Sequence, residues 1–272
     1  MTRELIVAPE RRGAFASIRD AVDAAPAGAV VLVAPGVYRE ALAFVDADIR
    51  LAAAETSAPV ELDARGLGLP ALAVRGGRVS VTGFTLTGGE LPAVHAERAT
   101  LSVTDCVASS QFGAVVDVRD RSMVELRRTR ISGGQFGVVF DDAGGSMTDC
   151  EVGDIADDGV IVRLGADPRI RTTTISRCRR RGVYVYQFGR PVLEECEISA
   201  TGDAGIVVVH QSAPVIRRCH VHDTGGVGIS LGRGCGGEVS ACRLENTGSP
   251  AVEVAEGADT RVETGGPAAG PA

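Results

Sequence analysis

The segment RRRGVYVYQFGRPVLEECEIS, residues 179–199, contains the pattern that decides the fold of this chain. After a glycine, Val183 and Val185 alternate with Tyr184 and Tyr186 in a short run that is typical of a β-strand. Because successive side chains of a strand point to opposite faces, the valines are predicted to face a core and the tyrosines to share the outer face. A turn with glycine and proline then leads into a second apolar run, PVLEECEIS.

This unit recurs with a period of roughly 23 residues. A glycine precedes the first strand of each unit at Gly113, Gly137, Gly159, Gly182, Gly205 and Gly228. The positions one and three residues after these glycines are all apolar: Ala114 and Val116, Val138 and Phe140, Val160 and Val162, Val183 and Val185, Ile206 and Val208, and Ile229 and Leu231. Such a period suits one coil of a β-solenoid, in which equivalent residues of neighbouring coils stack about 4.8 Å apart. The sequence therefore predicts a single all-β domain.

Most of the seven cysteines follow the same period, in one column with two threonines: Cys106, Thr129, Cys150, Thr173, Cys196, Cys219 and Cys242. We expect an inward ladder of small residues, because buried thiols are usually inert. The alternative is a metal or redox site at Cys196, Cys219 and Cys242, although thiols in one straight column cannot surround a tetrahedral zinc ion alone. Cys235, in a glycine-rich loop, is predicted to be the most accessible thiol.

Composition limits the possible functions. The 272 residues include no lysine, so all 28 basic residues are arginine, and chemistry that needs a lysine is excluded. The net charge of −7 disfavours general nucleic-acid binding. No apolar run has the length of a membrane span or signal peptide, which predicts a cytoplasmic protein without membrane association. The basic cluster of Arg177, Arg179, Arg180 and Arg181 is interpreted as a solvated corner, with an anionic ligand or partner as the alternative.

Both ends of a solenoid need a cover, because they expose apolar interior and strand edges. Residues 1–28 are predicted to form an N-terminal strand and a capping helix, with Ser17 as the N-cap. Residues 29–260 would form the parallel β-helix, with about ten coils. Residues 261–272 are predicted to be a flexible C-terminal tail or linker.

The N-terminal pattern AFASIRDAVDAAPAGAVVLVAPGVYRE, with Gly36, Tyr38 and Glu40, resembles the capping helix and first strand of the right-handed parallel β-helix proteins of the pectate-lyase-like class. The repeats resemble the G-V-x-V and P-x-I-x-x-C-x-I coils of that class, and the resemblance covers nearly all of residues 14–258. It implies a right-handed parallel β-helix. It leaves the activity open, because the class includes lyases, hydrolases, esterases, epimerases and non-catalytic modules. The catalytic motifs of the polygalacturonases and pectinesterases are absent from this sequence.

Since the interior of a β-helix is filled, function must lie on an outer face. The positions two residues after each glycine form a largely apolar stripe: Val115, Val139, Ile161, Tyr184, Val207, Ser230 and Glu253. The positions four residues after it are Asp117, Asp141, Arg163, Tyr186, Val209, Gly232 and Ala255, and the adjacent column contains Asp142, Gln187, His210 and Arg233. A stripe of this length is expected to need a cover or a partner.

Two functions fit the outer strip that these three columns form. The preferred one is a non-catalytic recognition or scaffold module that needs no cofactor and binds a protein partner, a second copy or an extended ligand. Its predicted ligand-binding residues are Asp117, Asp141, Asp142, Tyr184, Gln187 and Arg233. The alternative is a lyase or epimerase acting on a uronate-type polymer, with Arg163, Tyr186 and His210 as catalytic residues. In that case Asp117, Asp141 and Asp142 could hold calcium.

The remaining histidines are interpreted separately. His220 and His222 are two residues apart in the second strand of their repeat, so their side chains share one face. They could form a metal pair there, with Asp203 or Asp223 nearby. His95 is predicted to be an isolated surface residue.

Overall fold

A computed structural model describes residues 3–55 and 58–264. These residues form a right-handed parallel β-solenoid of about 11 coils with roughly 23 residues per coil, close to the predicted number. Strands of successive coils pair in parallel and in register, so that equivalent residues become neighbours. Val138, Val160, Val183 and Ile206 follow one another down one ladder and are fully buried. The predicted architecture is confirmed.

Three sheets form the faces of the solenoid, and each coil visits them in the order sheet 1, sheet 2, sheet 3. Sheet 1 contains Glu4–Val7, Ala29–Val33, Asp48–Ala53, Arg78–Thr82, Thr100–Thr104, Met123–Arg127, Gly144–Thr148, Arg169–Arg171, Val192–Glu194, Val215–Arg217, Gly236–Glu245 and Asp259–Thr264. Sheet 2 contains Gly36–Tyr38, Val60–Asp63, Phe84–Thr87, Val107–Ser110, Arg130–Gly133, Glu151–Ile155, Thr174–Cys178, Glu197–Thr201, His220–Thr224 and the second half of Gly236–Glu245. Sheet 3 contains Leu42–Val45, Leu72–Arg75, Val94–Glu97, Ala114–Arg119, Phe136–Asp141, Val160–Arg163, Val183–Val185, Ile206–Val208, Val227–Leu231 and Gly248–Val254.

The N-terminal end is covered by the short helix Ile18–Asp23, which buries Ile18 and Ala21. The Ser17 hydroxyl accepts a hydrogen bond from the Asp20 amide, as expected for an N-cap. The Glu40 carboxylate accepts two further amide hydrogen bonds at the start of the helix, from Ile18 at 3.0 Å and from Arg19 at 2.9 Å. A carboxylate at this position satisfies free N–H groups and complements the helix dipole, which explains the glutamate of the GVYRE motif.

The cysteine column is an inward ladder at the corner between sheets 1 and 2, as predicted. Each member is buried, and several donate to the carbonyl two residues earlier, as Thr129 does to Arg127 and Cys196 to Glu194. Burial raises the pKa of the Cys106 thiol to about 11. The prediction for Cys235 is wrong: this residue is fully buried, and its thiol lies 3.5 Å from the Val208 carbonyl oxygen. Its loop folds inward over the core.

One coil has a register that differs from the prediction. Val116 pairs with Val138 and Asp117 with Val139, so Ala114 and Val115 do not belong to the columns assigned to them. The reason is that Gly113 lies in the preceding turn, with a φ of 61°, and Val115 occupies the corner position and is buried. In this part of sheet 3, the residues that lie side by side on the outer face therefore differ by two positions from the predicted pairs.

At the C-terminal end, the strand Asp259–Thr264 extends beyond the predicted boundary at residue 260 and pairs with Gly236–Glu245. The rest of the predicted tail, residues 265–272, lies outside the described residues. Within residues 3–55 and 58–264, no helix has the length and apolar character needed to cross a membrane.

Candidate functional site

The outer face of sheet 3 carries two neighbouring columns of side chains. The first, the histidine column, consists of His95, Asp117, Val139, Ile161, Tyr184, Val207 and Ser230. The second, the arginine column, consists of Arg75, Glu97, Arg119, Asp141 and Arg163. Tyr186 lies one coil beyond Arg163, just after its strand. Parallel in-register pairing produces both columns, because it places residues of successive coils side by side.

His95 and Asp117 form a hydrogen-bonded pair near the N-terminal end of this face. The His95 Nδ1 atom lies 3.1 Å from Asp117 Oδ2, and Arg119 Nε donates to Asp117 Oδ1 at 2.9 Å. Burial would raise the pKa of Asp117, but the hydrogen bonds from His95 and Arg119 hold it below its usual value. The carboxylate is therefore ionised at neutral pH and orients the imidazole ring. The interpretation of His95 as an isolated surface residue is wrong.

Arg163 connects Asp141 to the tyrosines. Its Nε and Nη2 atoms donate to Asp141 Oδ2 at 3.0 and 2.6 Å, and its Nη1 donates to the Tyr186 hydroxyl at 2.9 Å. Tyr186 stacks on Tyr184 with ring centroids 4.5 Å apart, and the guanidinium of Arg181 lies 3.6 Å from the Tyr184 ring centroid. These contacts fix both tyrosines on the outer face, where the sequence placed them.

A groove of about 610 Å³ runs along this face. Its floor includes His95, Val139 and Ile161, and Tyr186 also lines it. One wall is largely apolar. It consists of Leu69, Pro70, Leu91 and Pro92, from the loops that precede two sheet 3 strands, and of Phe136, the first residue of a third. A smaller depression of about 310 Å³, which includes Ala73, shares Leu69 and Pro70 and extends toward the capping helix. The groove thus combines a largely apolar wall with a floor that contains both apolar side chains and hydrogen-bonded polar groups.

A wider depression of about 1060 Å³ lies on sheet 1. Serines occupy much of its surface, at Ser80, Ser102 and Ser146, and its lining contains neither an aromatic side chain nor a histidine. We place the candidate site on sheet 3, because there the groove brings together an imidazole, carboxylates, arginines and a phenol.

The structure brings only some of the predicted site residues together. Asp117, Arg163 and Tyr186 line the groove. Asp117 belongs to the histidine column and not, as predicted, to the column of Asp141, because of the register difference. The predicted exposed stripe is wrong at Val139 and Ile161, which are only 5% exposed each because they form the groove floor.

The predicted turn column lies outside the groove. Asp142, Gln187 and His210 are exposed and have left-handed φ values near 50°, and Arg233 is also exposed. The His210 ring contacts Tyr186 edge-on, with centroids 6.4 Å apart. Of the predicted catalytic residues, Arg163 and Tyr186 are therefore joined by a hydrogen bond, whereas His210 contacts Tyr186 only through its ring.

The predicted calcium ligands do not converge. Asp117 and Asp141 are engaged by Arg119 and Arg163, and Asp142 lies in an exposed turn. Among the described residues, no cluster of three or more His, Cys, Asp or Glu side chains could hold a metal ion.

The histidine pair of sheet 2 is held by acids. The rings of His220 and His222 stack 4.3 Å apart, and His222 lies 2.7 Å from Asp223 and 3.2 Å from Glu197. The hydrogen bond to Asp223 raises the pKa of His222 above its usual value. The alternative of a metal pair is replaced by an ion-pair network.

The arginine cluster pairs with acids one coil earlier. Arg177 binds Asp154, and Arg180 lies 3.4 Å from Asp157. Arg181 is nearly buried and makes two side-chain hydrogen bonds to Asp158, at 2.8 and 3.0 Å. Three of the four arginines of the cluster thus form ion pairs within the protein, at one corner of the solenoid.

Sequence reasoning missed the His95–Asp117 pair and the apolar wall. A period of 22 residues in this part of the chain would have placed these two residues side by side. The loops before the sheet 3 strands carry no periodic pattern, so nothing in the sequence indicated that Leu91, in such a loop, lines the same groove as Phe136 at the start of a strand.

Comparisons with known proteins agree with this architecture. The family model described as "Right handed beta helix region" matches residues 72–187 and 114–264. No curated protein matches the chain. The structure is similar to pectate lyase Pel9A, with a TM-score of 0.54 and 13% identity, over 95% of this chain and 79% of that one.

Two further structures share the fold. The catalytic domain of Agl-KA has a TM-score of 0.54 and 9% identity, covering 90% of this chain and 64% of that one. The A-module of mannuronan C-5 epimerase AlgE6 from Azotobacter vinelandii has a TM-score of 0.52 and 13% identity, covering 92% and 95%. At these identities the similarity concerns the fold alone. With the family model matching most of its length, the chain belongs to the right-handed β-helix family.

Proposed function

We propose that this chain is a non-catalytic recognition module that binds an extended ligand in the groove of sheet 3. The observation that carries the proposal is the groove itself, in which fixed polar groups lie beside a largely apolar wall and the apolar floor residues Val139 and Ile161. Small-molecule and polymer sites commonly combine apolar lining with a few polar groups that fix orientation. Because the groove crosses successive coils, it suits a ligand that lies along the solenoid axis.

The ion pairs of the floor support binding over catalysis. Asp117 and Asp141 each accept strong hydrogen bonds from a neighbouring arginine, and Arg163 is held at both ends by Asp141 and Tyr186. Groups held in this way are preorganised for contact with a ligand. A carboxylate held by an arginine is also a poor proton acceptor, because the positive charge favours its ionised form.

A second candidate function is favoured by the His95–Asp117 pair. An aspartate that binds one ring nitrogen fixes the tautomer and leaves the other nitrogen for proton transfer, as a general base requires. Among the described residues, no hydrogen bond to His95 Nε2 is present. The names of two similar structures, a pectate lyase and a mannuronan epimerase, suggest lyase or epimerase chemistry on a uronate polymer. In that function His95 would replace His210 as the acid–base residue.

Filling the groove tests the proposal. Ala73 is the partly exposed neighbour of His95 on the preceding coil and lines the smaller depression that adjoins the groove, so a large side chain there would extend into the groove beside His95. We expect Ala73→Trp to reduce the affinity for groove ligands at least about tenfold, because a bulky side chain excludes them from a preformed site. Affinity is measured by calorimetry with a panel of uronate oligosaccharides, neutral oligosaccharides and acidic peptides.

The matched control is Ala52→Trp, a partly exposed alanine on the outer face of sheet 1. Equal affinity of the two variants for every bound ligand would refute the groove as the site. Formation of an unsaturated or epimerised product, lost in His95→Ala, would show that the second candidate function is correct.

A further inference from the structure

We infer that the groove takes a linear anionic polysaccharide with one negative group per disaccharide, gripped by Arg75, Arg119 and Arg163. This inference rests on the proposed function and names the chemistry of its ligand. It follows from the order of charges in the arginine column, from their unequal exposure and from their spacing.

Charges alternate in sign along the arginine column. Arg75 pairs across strands with Glu97, Glu97 with Arg119, Arg119 with Asp141, and Asp141 with Arg163. Alternation of this kind stabilises a parallel sheet, because opposite charges stand side by side. By itself it would present little net charge to a ligand, because two acids offset two of the three arginines.

The arginine side chains of this column are more exposed than its acidic side chains. The arginine side chains are 65%, 49% and 32% exposed at Arg75, Arg119 and Arg163, whereas Glu97 is 20% and Asp141 is 13% exposed. Only the three arginines of this column line the groove. The two acids of this column thus lie beneath its guanidinium groups. Two further acids line the groove: Asp117, which is 5% exposed and is held by His95 and Arg119, and Glu90, which is exposed in the loop at the wall.

Each of the three arginines keeps donors for a ligand. A guanidinium has five N–H donors in a planar fork, and Arg75 and Arg119 contact their acids through Nε. Arg163 makes hydrogen bonds through all three nitrogens and keeps one N–H on each of Nη1 and Nη2. Such a fork suits the oxygen pairs of a carboxylate or a sulfate. The net charge of −7 does not prevent this, because at physiological salt charges farther than about 8 Å away are largely screened.

The spacing of the arginines selects the ligand. They occur on every second coil, and coils are about 4.8 Å apart, so neighbouring guanidinium groups repeat at about 10 Å along the axis. A linear polysaccharide with one carboxylate or sulfate per disaccharide repeats its charges at a similar distance. A peptide in a β-strand presents side chains on one face about every 7 Å, which does not match the spacing of the arginines. The apolar wall at Leu91 and Phe136 can contact the C–H faces of sugar rings.

A length series of hyaluronan oligosaccharides tests this inference, since hyaluronan carries one carboxylate per disaccharide. We expect affinity to rise about fivefold or more with each added carboxylate from disaccharide to hexasaccharide, because each reaches another arginine, and then to level off. Singly sulfated keratan oligosaccharides form a second arm that distinguishes sulfate from carboxylate. Uncharged chitin oligosaccharides form the neutral arm.

Substitutions locate the contacts. Arg119→Gln is expected to weaken hexasaccharide binding about tenfold and to leave disaccharide binding less affected. The control is Arg130→Gln, which removes an ion-paired, exposed arginine from sheet 2. Circular dichroism spectra and melting curves verify that both variants are folded.

The outcomes separate the inference from the proposed function. A plateau at the hexasaccharide with loss in Arg119→Gln supports the inference. It is overturned if neutral chains or acidic peptides bind as tightly, if Arg130→Gln has the same effect, or if neither anionic polysaccharide binds. Binding of another ligand that Ala73→Trp abolishes would leave the proposed function standing while the inference fails.

Discussion

Asp158→Ala is expected to lower the free energy of unfolding by about 3–5 kcal/mol, because it leaves the buried Arg181 guanidinium without its partner. The Asp158 and Arg181 side chains are 3% and 10% exposed, and three hydrogen bonds join them, including one from the Arg181 amide. Burial raises the pKa of Asp158, although the hydrogen bonds and charge of Arg181 oppose this shift. Urea denaturation followed by circular dichroism measures the effect.

The same corner supplies the control. Asp154 pairs with Arg177 across the same coil step, but their side chains are 65% and 52% exposed. Asp154→Ala should therefore cost less than about 1 kcal/mol. Replacing both buried partners, as Asp158→Leu with Arg181→Met, should recover much of the loss, since no unpaired charge remains. A loss below about 1 kcal/mol for Asp158→Ala alone would contradict the buried ion pair.

Gly182→Ala is expected to cost about 2–3 kcal/mol through overpacking. A Cβ atom at this corner would lie 2.4 Å from Ile198 Cγ2 and 2.8 Å from the Gly205 carbonyl oxygen. The same conflict with the next coil recurs down the glycine column, at Gly137, Gly159, Gly205 and Gly228. The repeat thus has glycine where neighbouring coils approach too closely for a side chain.

Gly236→Ala is the matched control, because its added Cβ would lie 3.7 Å from the nearest atoms. Its stability should stay within about 1 kcal/mol of the parent, or rise slightly through lower entropy of the unfolded chain. Equal melting temperatures for Gly182→Ala and Gly236→Ala would show that the coils are not stacked as described.

The interior of this fold was predictable, because each coil packs between two neighbouring coils. Its inward positions therefore repeat with the length of a coil, and the sequence displays this period. Val138, Val160 and Val183 repeat for that reason, and the cysteine column does so at a corner that admits only small side chains. The glycine column is set by the same close packing. Each of these positions is fixed by contacts with its own copies one coil away.

The outer face was predictable only where the period is regular. Tyr184 and Tyr186 were placed correctly, whereas Asp117 was assigned to the wrong column because Gly113 belongs to a turn and not to the corner. That two-residue difference hid the His95–Asp117 pair. The burial of Cys235 depends on a loop, and loops carry no repeat from which their path could be inferred.

The proposed function depends most directly on a ligand binding in the sheet 3 groove. A crystal structure with a bound uronate oligosaccharide, soaked at a saturating concentration, tests this. We predict density along sheet 3 from Ala73 to Tyr186, with acidic groups at the arginine column. Density in the sheet 1 depression instead, or an empty groove in a complex that calorimetry shows to be saturated, would contradict the proposed function.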